Sequence, residues 1–262
     1  KNIKLFKPNM ILMVPLMIET FAKKLEEVKD LPEKVVKEAV FGSQFHTICS
    51  GGAYLNPDYI ELFERFGIQI LQGYGMTECS PVISTTVAWN VKKNSVGQLL
   101  PNCEAKTVDG ELWVRGSSVM QGYYKMPEET KTALKDGWLC TGDLGYVDEE
   151  RFIYLTGRKK NLIITKNGEN VSPEELENKL SSSRLVQEVL VREAKGVIEA
   201  EIYPDEEYAK KQGLEREEEV RVELQKLIDE YNQGAPAYKK IYSLIIRDKE
   251  FEKTASRKIK RY

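Results

Sequence analysis

Residues 141–177 read TGDLGYVDEERFIYLTGRKKNLIITKNGENVSPEELE. Short β-type apolar runs alternate with glycine-bearing turns, and the stretch closes on a helix start, a strand-turn-strand-turn-helix frame. Its polar residues are not those that packing alone requires. Asp143 follows Thr-Gly, Arg158 follows Gly157, and Lys159-Lys160-Asn161 interrupts the pattern. A carboxylate so placed can accept two hydroxyl donors or cap a turn. Arg158 can reach an anion or form a surface ion pair, and Lys160 can be a pivot or a solvated lysine.

The composition is that of a water-soluble globular chain: 262 residues, 41% hydrophobic and 31% charged. That length holds one large or two modest domains. A net charge of −2 and a pI near 5.8 give no global case for nucleic acid. Cys49, Cys79, Cys103 and Cys140 are scattered singly, which suits reduced, buried thiols in a cytoplasmic protein and not a metal site. His46 is the only histidine, which argues against a Ser-His-Asp triad and leaves it as a possible pocket residue. The apolar run at residues 10–18 contains Pro15 and is too short to span a bilayer. It reads as a buried strand with its exit turn. Membrane contact is expected to be peripheral at most, and the sequence carries no signature of oligomeric state.

Residues 1–86 alternate strands (10–14, 45–49, 68–72) with helices (16–29, 57–66), which predicts a mainly parallel sheet with helices on its faces. Ligands of such sheets sit at the carboxyl ends of the strands, where Ser50-Gly51-Gly52-Ala53 and Gly73-Tyr74-Gly75 are read as turns. Residues 96–156 change to short strands and turns, with Asp109-Gly110 as a hairpin signal, and read as a small antiparallel barrel or sandwich. A second, smaller α+β domain is placed at residues 158–262, after a first part at 1–157. Its first helix is expected to start at Ser172, with Pro173 at the first helical position and Glu175 completing a capping box. Val220, Leu224, Leu227, Ile228 and Tyr231 mark one face of a later helix. Residues 205–230 carry ten acids against five bases, and residues 239–262 nine bases against three acids.

Residues 72–78, QGYGMTE, follow a strand directly. Two glycines permit close backbone approach. Tyr74 offers a flat face, Thr77 a hydroxyl, and Glu78 a hard oxygen suited to Mg²⁺. Taken alone, the stretch is equally a plain strand-to-loop turn. Together with TGD at 141–143, GRKKNLI at 157–163, NGENVSPEELE at 167–177 and KTASRKIKR at 253–261, it resembles the ordered motifs of the acyl-adenylate-forming ligases. That family includes acyl-CoA synthetases, luciferases and peptide-synthetase adenylation domains.

The resemblance implies the C-terminal part of a large α/β adenylate-forming domain, followed by a small mobile α+β domain. It also implies roles. Gly51, Gly52 and Ala53, with Gly73 and Gly75, would line the adenine and acyl pocket. Tyr74 would stack on adenine, Thr77 would hold the α-phosphate, and Glu78 would bind Mg²⁺. Asp143 would hold the ribose of ATP or AMP, and Arg158 the ribose or phosphate. Lys160 would be the hinge. Lys166, Gly168, Glu169 and Asn170 would line the coenzyme A tunnel, and Lys258 would bridge the attacking carboxylate and the α-phosphate.

Three departures matter. Arg257 precedes Lys258 where the family usually has glycine, which keeps Lys253 and Lys260 as lesser candidates. Tyr54 stands where proline is common. The Ser/Thr/Gly-rich loop ending in Pro-Lys-Gly, which clamps the β- and γ-phosphates, is missing from these residues. With lysine at position 1, the expectation is a portion of a longer enzyme with little activity alone.

GYGMTECSP, an apolar pocket around Val82 and Ile83, and AEIYPDEE are most similar to bacterial long-chain fatty-acid CoA ligases. The implied substrates are a fatty acid, ATP and CoA. The rivals are a ligase that loads a carrier protein and a non-catalytic nucleotide-binding module. The basic residues 239–262 suit either CoA phosphates or an acidic carrier.

Overall fold

The computed structural model describes residues 2–28, 30–254 and 259–261. The chain divides into two compact units, 1–155 and 156–262.

In the first unit, α1 (Asn2–Phe6) and β1 (Met10–Met13) lead into α2 (Pro15–Glu27) and α3 (Glu33–Val40). Next come β2 (Thr47–Gly51), α4 (Pro57–Arg65), β3 (Gln69–Gly75), β4 (Val82–Thr85) and β5 (Gln98–Leu99). Strands β1 to β5 form one sheet in sequence order. The pairs β1–β2 and β2–β3 are parallel, while β4 and β5 add antiparallel. Pro15 opens α2 where the sequence suggested an exit turn, because proline's fixed φ and missing N–H suit the first helical position. Helix α3, eight residues long with Val36 as its buried residue, is not among the elements read from the sequence. Under the sheet Phe41 stacks on Phe45 at 5.1 Å and tilts against Phe63 at 6.0 Å, the centre of one apolar core.

The same unit continues with β6 (Cys103–Val108), β7 (Glu111–Gly116), α5 (Pro127–Ala133), β8 (Leu134–Lys135), β9 (Trp138–Val147) and the first half of β10 (Ile153–Arg158), whose last three residues belong to the second unit. The barrel-like part is an antiparallel sheet of order β10-β9-β7-β6, with β8 beside β9. Asp109 and Gly110 turn the β6–β7 hairpin with φ of 50° and 79°, the paired positive values of a tight hairpin turn. A second core joins the two sheets through Ile83, Leu99, Leu112, Val114, Leu139 and Ile153.

The second unit contains β11 (Ile163–Ile164), β12 (Asn170–Val171), α6 (Pro173–Leu180), β13 (Val186–Ala194), β14 (Val197–Pro204), α7 (Glu206–Lys211), α8 (Glu217–Gly234) and β15 (Ile241–Ile246). The sheet β13-β14-β15 packs its apolar side on α6 and α8, whose Val220, Leu224 and Ile228 lie in the core on the face the spacing marked. Asn232 closes the α8–β15 connection by exchanging hydrogen bonds with the backbone of Ile241, both at 2.8 Å. The capping box does not form. Ser172 is the N-cap residue, but its hydroxyl donates to Glu174 at 2.9 Å, and Glu175 pairs with Lys239 at 2.7 Å. Ser172 is pressed against Gly157, where any side chain would collide with its hydroxyl.

β1 is not the buried strand the sequence suggested. It is the edge of its sheet, and Leu12 is 81% exposed beside exposed Met10, Val14 and Leu16. An open apolar edge recruits other chains. Leu12→Lys is expected to lower dye binding to exposed apolar surface and self-association of this chain. It should change unfolding stability by less than about 0.5 kcal/mol, as surface substitutions do. Light scattering and urea titration check both.

Candidate functional site

The parallel strands of the first unit all end at one edge of the sheet. Gly51 at the end of β2 is registered with Gly73 in β3, and a side chain on Gly51 would come within 2.9 Å of the Gly73 carbonyl oxygen. The close approach of the two backbones at this point therefore requires glycine at position 51. Gly52 follows at φ 88° with Ala53 exposed beside it. Gly73, Tyr74 and Gly75, read from sequence as a turn, are the last residues of β3, because β4 extends the ladder over them. A Cβ on Gly75 would sit 2.0 Å from the Pro81 carbonyl oxygen, so the return from β3 to β4 requires glycine.

Thr77 and Glu78 follow in a 3-10 turn over Thr77–Cys79, which Ser80 closes at φ 55°. Thr77 is exposed. Glu78 is half-buried and accepts a 2.8 Å hydrogen bond from the Tyr123 hydroxyl on Oε1, while its carbonyl accepts the Met120 N–H. The Glu78 carboxylate in turn raises the Tyr123 hydroxyl above its ordinary pKa. Oε2 of Glu78 has no partner among the described residues, so it can face a cation. One carboxylate oxygen completed by phosphate and water oxygens is how Mg²⁺ is usually held.

Asp143 reaches the same edge by a defect in β9. Glu111 pairs with Leu144 and Trp113 with Cys140, so Thr141, Gly142 and Asp143 all stand opposite Leu112. Such a bulge re-aims side chains. Thr141 fixes it: its hydroxyl donates to the Leu112 carbonyl at 2.7 Å and accepts the Asp143 N–H at 3.1 Å. Gly142, at φ 70°, donates its N–H to the buried carboxylate of Glu111. The result places Oδ2 of Asp143 2.7 Å from the Tyr74 hydroxyl, which donates to it. Tyr74 is 8% exposed and Asp143 5%. Sequence reasoning singled out both residues but not the bond between them, nor Thr141, Glu111 and Tyr123 as supports. The signal for Thr141 was present in TGD, whereas Glu111 and Tyr123 carry none.

Two other expectations change. Ile83 is wholly buried in the core and is not a pocket wall, while Val82 on the opposite face of β4 is partly open. His46 is exposed at the amino end of β2, the wrong end of the sheet, and bonds Thr47 at 2.7 Å. A cavity of about 220 Å³ between α4, β3 and residues 91–95 is lined by Ile60, Gln72, Thr86 and Val91 and by none of the candidate residues. Burial pushes the Cys79 thiol up to about 12, which makes it a packing residue and not a nucleophile.

In the second unit Arg158 is exposed at the end of β10, and Lys160 is exposed in a 3-10 turn over Lys159–Asn161. Lys166, Gly168 and Glu169 form the exposed β11–β12 turn. Gly168 stands there at φ 82° and donates to the Thr165 carbonyl. The Lys166 stem lies across Gly196. Lys258 and Arg257 lie outside the described residues. Lys253 and Lys260, the other candidates, are already paired: Lys253 with Glu188 and Glu250, Lys260 with Glu252. Several of the other described cations of the basic stretch are paired as well. Lys239 pairs with Glu175, Arg247 with Glu201, and Arg261 with Glu177 and Glu174.

Glycine-rich carboxyl ends of parallel strands, facing a bulge-borne aspartate, define an α/β protein of the class whose ligands bind at the strand termini. The chain belongs to the AMP-binding enzyme family: residues 1–124 match the AMP-binding enzyme, and residues 160–262 its C-terminal domain. It is 39% identical over 171 residues to the long-chain-fatty-acid–CoA ligase FadD15 of Mycobacterium bovis, covering 64% of this chain and 28% of the relative. It is 38% identical over 163 residues to the long-chain-fatty-acid–CoA ligase of Bacillus subtilis, covering 57% and 29%. Its structure resembles that of o-succinylbenzoate CoA synthetase of Bacillus subtilis in complex with the acyl-adenylate intermediate. The TM-score is 0.77 at 29% identity, over 98% of this chain and 51% of that one. The chain thus spans under a third of those curated relatives and about half of that synthetase.

Tyr74→Phe removes one donor from a buried carboxylate. It is expected to cost about 1.5–3 kcal/mol, the usual worth of a hydrogen bond to a charged group. Urea unfolding measures it, and no change would mean that Asp143 is otherwise satisfied.

A second expectation concerns Glu177, whose Oε1 accepts the Val191 N–H at 2.7 Å. Burial pushes its carboxyl up to about 7, against the pull of Arg261 and of that N–H. A carboxyl with a folded value above its ordinary 4.5 holds protons more tightly when folded. Its stabilisation is therefore complete below about 4.5 and lost as the pH rises through about 7. The unfolding free energy should fall across that window by roughly 3 kcal/mol from this group. Glu177→Gln, neutral throughout, should flatten the slope.

Proposed function

We propose that this chain is the nucleotide-gripping edge and the small domain of an ATP-dependent, AMP-forming acyl-CoA synthetase, with a long-chain fatty acid as the first-choice substrate. The observation that carries the reading is the convergence of Gly51, Gly73, Tyr74 and Asp143 at the strand termini, in a chain similar to two fatty-acid CoA ligases.

In the first half-reaction a carboxylate oxygen attacks the α-phosphorus of ATP. The bond to the bridging oxygen breaks, pyrophosphate leaves, and acyl-AMP remains. Asp143, ordered by Tyr74, accepts the ribose hydroxyls, and the bulge supplies the angle of approach. The closely approaching glycines at 51–52 and 73 leave room for a flat adenine along the backbone. Tyr74 offers little open ring, so its weightier task is holding the carboxylate of Asp143. Thr77 donates its exposed hydroxyl to the α-phosphate. Glu78 would hold Mg²⁺ through Oε2, and the ion would neutralise phosphate charge. Lys258 supplies the fixed cation that the charge-gathering transition state requires. In the second half-reaction the CoA sulfur adds to the acyl carbonyl, AMP leaves, and the thiol proton passes to solvent. Lys160, exposed just past the boundary between the units, is the hinge, a place where few residues need absorb the change. Gly168 leaves space for the pantetheine arm beside Lys166 and Glu169.

The test uses the full-length protein. Lys258→Ala is expected to lower pyrophosphate release by roughly 10² to 10³ while thioester formation from supplied acyl-AMP persists. Unchanged adenylation would defeat the assignment. A panel of long-chain and aromatic acids, each with CoA and with a phosphopantetheinyl carrier, reads the substrate. Preference for aromatic acids or exclusive use of the carrier would overturn the fatty-acid CoA ligase reading.

A further inference from the structure

The β11–β12 and β13–β14 turns rest on one core and touch through a single lysine. Ile163 and Val171 of the first pair of strands are buried with Val191 and Ile198 of the second. Ala194 faces Val197 across β13 and β14, so Lys195 and Gly196 make a two-residue turn. Their φ of 52° and 82° are the paired positive values such a turn needs, and Glu193 accepts the Gly196 N–H on Oε1. The β11–β12 turn is fixed as firmly. The Thr165 N–H donates to the Glu169 carbonyl at 2.9 Å, and the Thr165 hydroxyl accepts the Glu169 N–H at 3.1 Å. Lys166 leaves that turn and lies over Gly196. A Cβ on Gly196 would stand 2.1 Å from Cε of Lys166 and 2.3 Å from its Nζ, whereas non-bonded carbon atoms rest about 3.5–4.0 Å apart.

Glycine at 196 is thus required twice over, by its φ and by the lysine laid across it. A lysine stem lying on bare backbone is held near one position, whereas a free one gives up rotamer freedom on meeting a ligand. Preorganisation of this kind gains affinity without a new contact. Lys166 is exposed, and its ammonium has no carboxylate partner among the described residues. Lys239, Arg247, Lys253, Lys260 and Arg261 differ, since each meets a glutamate. A compact ammonium with three donors, left uncompensated on a fixed turn, suits a phosphate, which it meets as a point charge.

We propose that Gly196 is a positioning residue for the thioester step, holding the Lys166 ammonium where it meets a phosphate of the pantetheine thiol, whether CoA or a carrier's prosthetic group. The proposal rests on the placing of Lys166 beside that thiol. Gly196 touches no substrate; it leaves the space in which the lysine lies.

The experiment compares Gly196→Ala, Gly196→Asn, Lys166→Ala, the double variant of Gly196→Ala with Lys166→Ala, and Gly213→Ala, all in the full-length protein. Gly213, at φ 76° with nothing within 4 Å of an added Cβ, reports backbone strain alone, and asparagine tolerates a positive φ. With acyl-AMP supplied, the KM is measured for CoA, or for the phosphopantetheinyl carrier where that is the acceptor, and for phosphate-free pantetheine. Pyrophosphate release is measured separately. Gly196→Ala and Gly196→Asn are each expected to raise the KM for the phosphate-bearing thiol about three- to tenfold, the worth of one hydrogen bond. Pyrophosphate release and the KM for pantetheine should stay within about twofold of the parent. The double variant should match Lys166→Ala, because the lysine through which Gly196 acts is gone. Equal rises for both thiols, an unchanged KM in both Gly196 variants, or the same rise in Gly213→Ala would overturn the proposal. If Lys166→Ala itself leaves the KM unchanged, the placing of Lys166 fails first and the proposal with it.

Discussion

A hydrogen bond from the Tyr74 hydroxyl to the Asp143 carboxylate, 2.7 Å long and buried, links the two sheets of the first unit. Tyr74 stands near the end of a parallel-side strand, and Asp143 on a bulge of the antiparallel sheet. The bond requires the bulge, the bulge requires Thr141 and Gly142, and Gly142 is anchored on Glu111. The apolar core beneath, from Ile83 to Ile153, holds the sheets close enough for the bond to form. Packing supplies most of the energy and the polar chain supplies the angle.

The second unit solves a different problem with the same economy. Its terminal stretch is strongly basic by sequence, yet Lys239, Arg247, Lys253, Lys260 and Arg261 are matched by glutamates. Those glutamates come mainly from α6, β13 and β14. These pairs hold the described part of the basic stretch within its own unit.

Local patterning was legible along most of the chain. The period of α8, the hairpin at Asp109-Gly110 and the parallel alternation before residue 72 depend on neighbours within a turn or a strand. The errors lie where a distant partner outbids a local preference. Ser172 and Glu175 spell a capping box, but Glu174 and Lys239 take their polar atoms. Gly73 to Gly75 spell a turn, but β4 pairs with them as strand. Residues 10–13 spell a buried strand, but the position at the sheet edge leaves Leu12 open.

The order and chemistry of the motifs, the two-part organisation and the family are properties of the sequence by itself, because they rest on residue type and spacing. The tertiary structure alone decided which of those residues meet. Asp143 turns toward Tyr74, Tyr123 holds Glu78, and Lys253 is given to Glu188. Each pair joins residues dozens of positions apart, on elements that only the burial of shared apolar surface brings together. No local period records such a meeting, and so the candidate site was readable as a set of residues and not as a geometry.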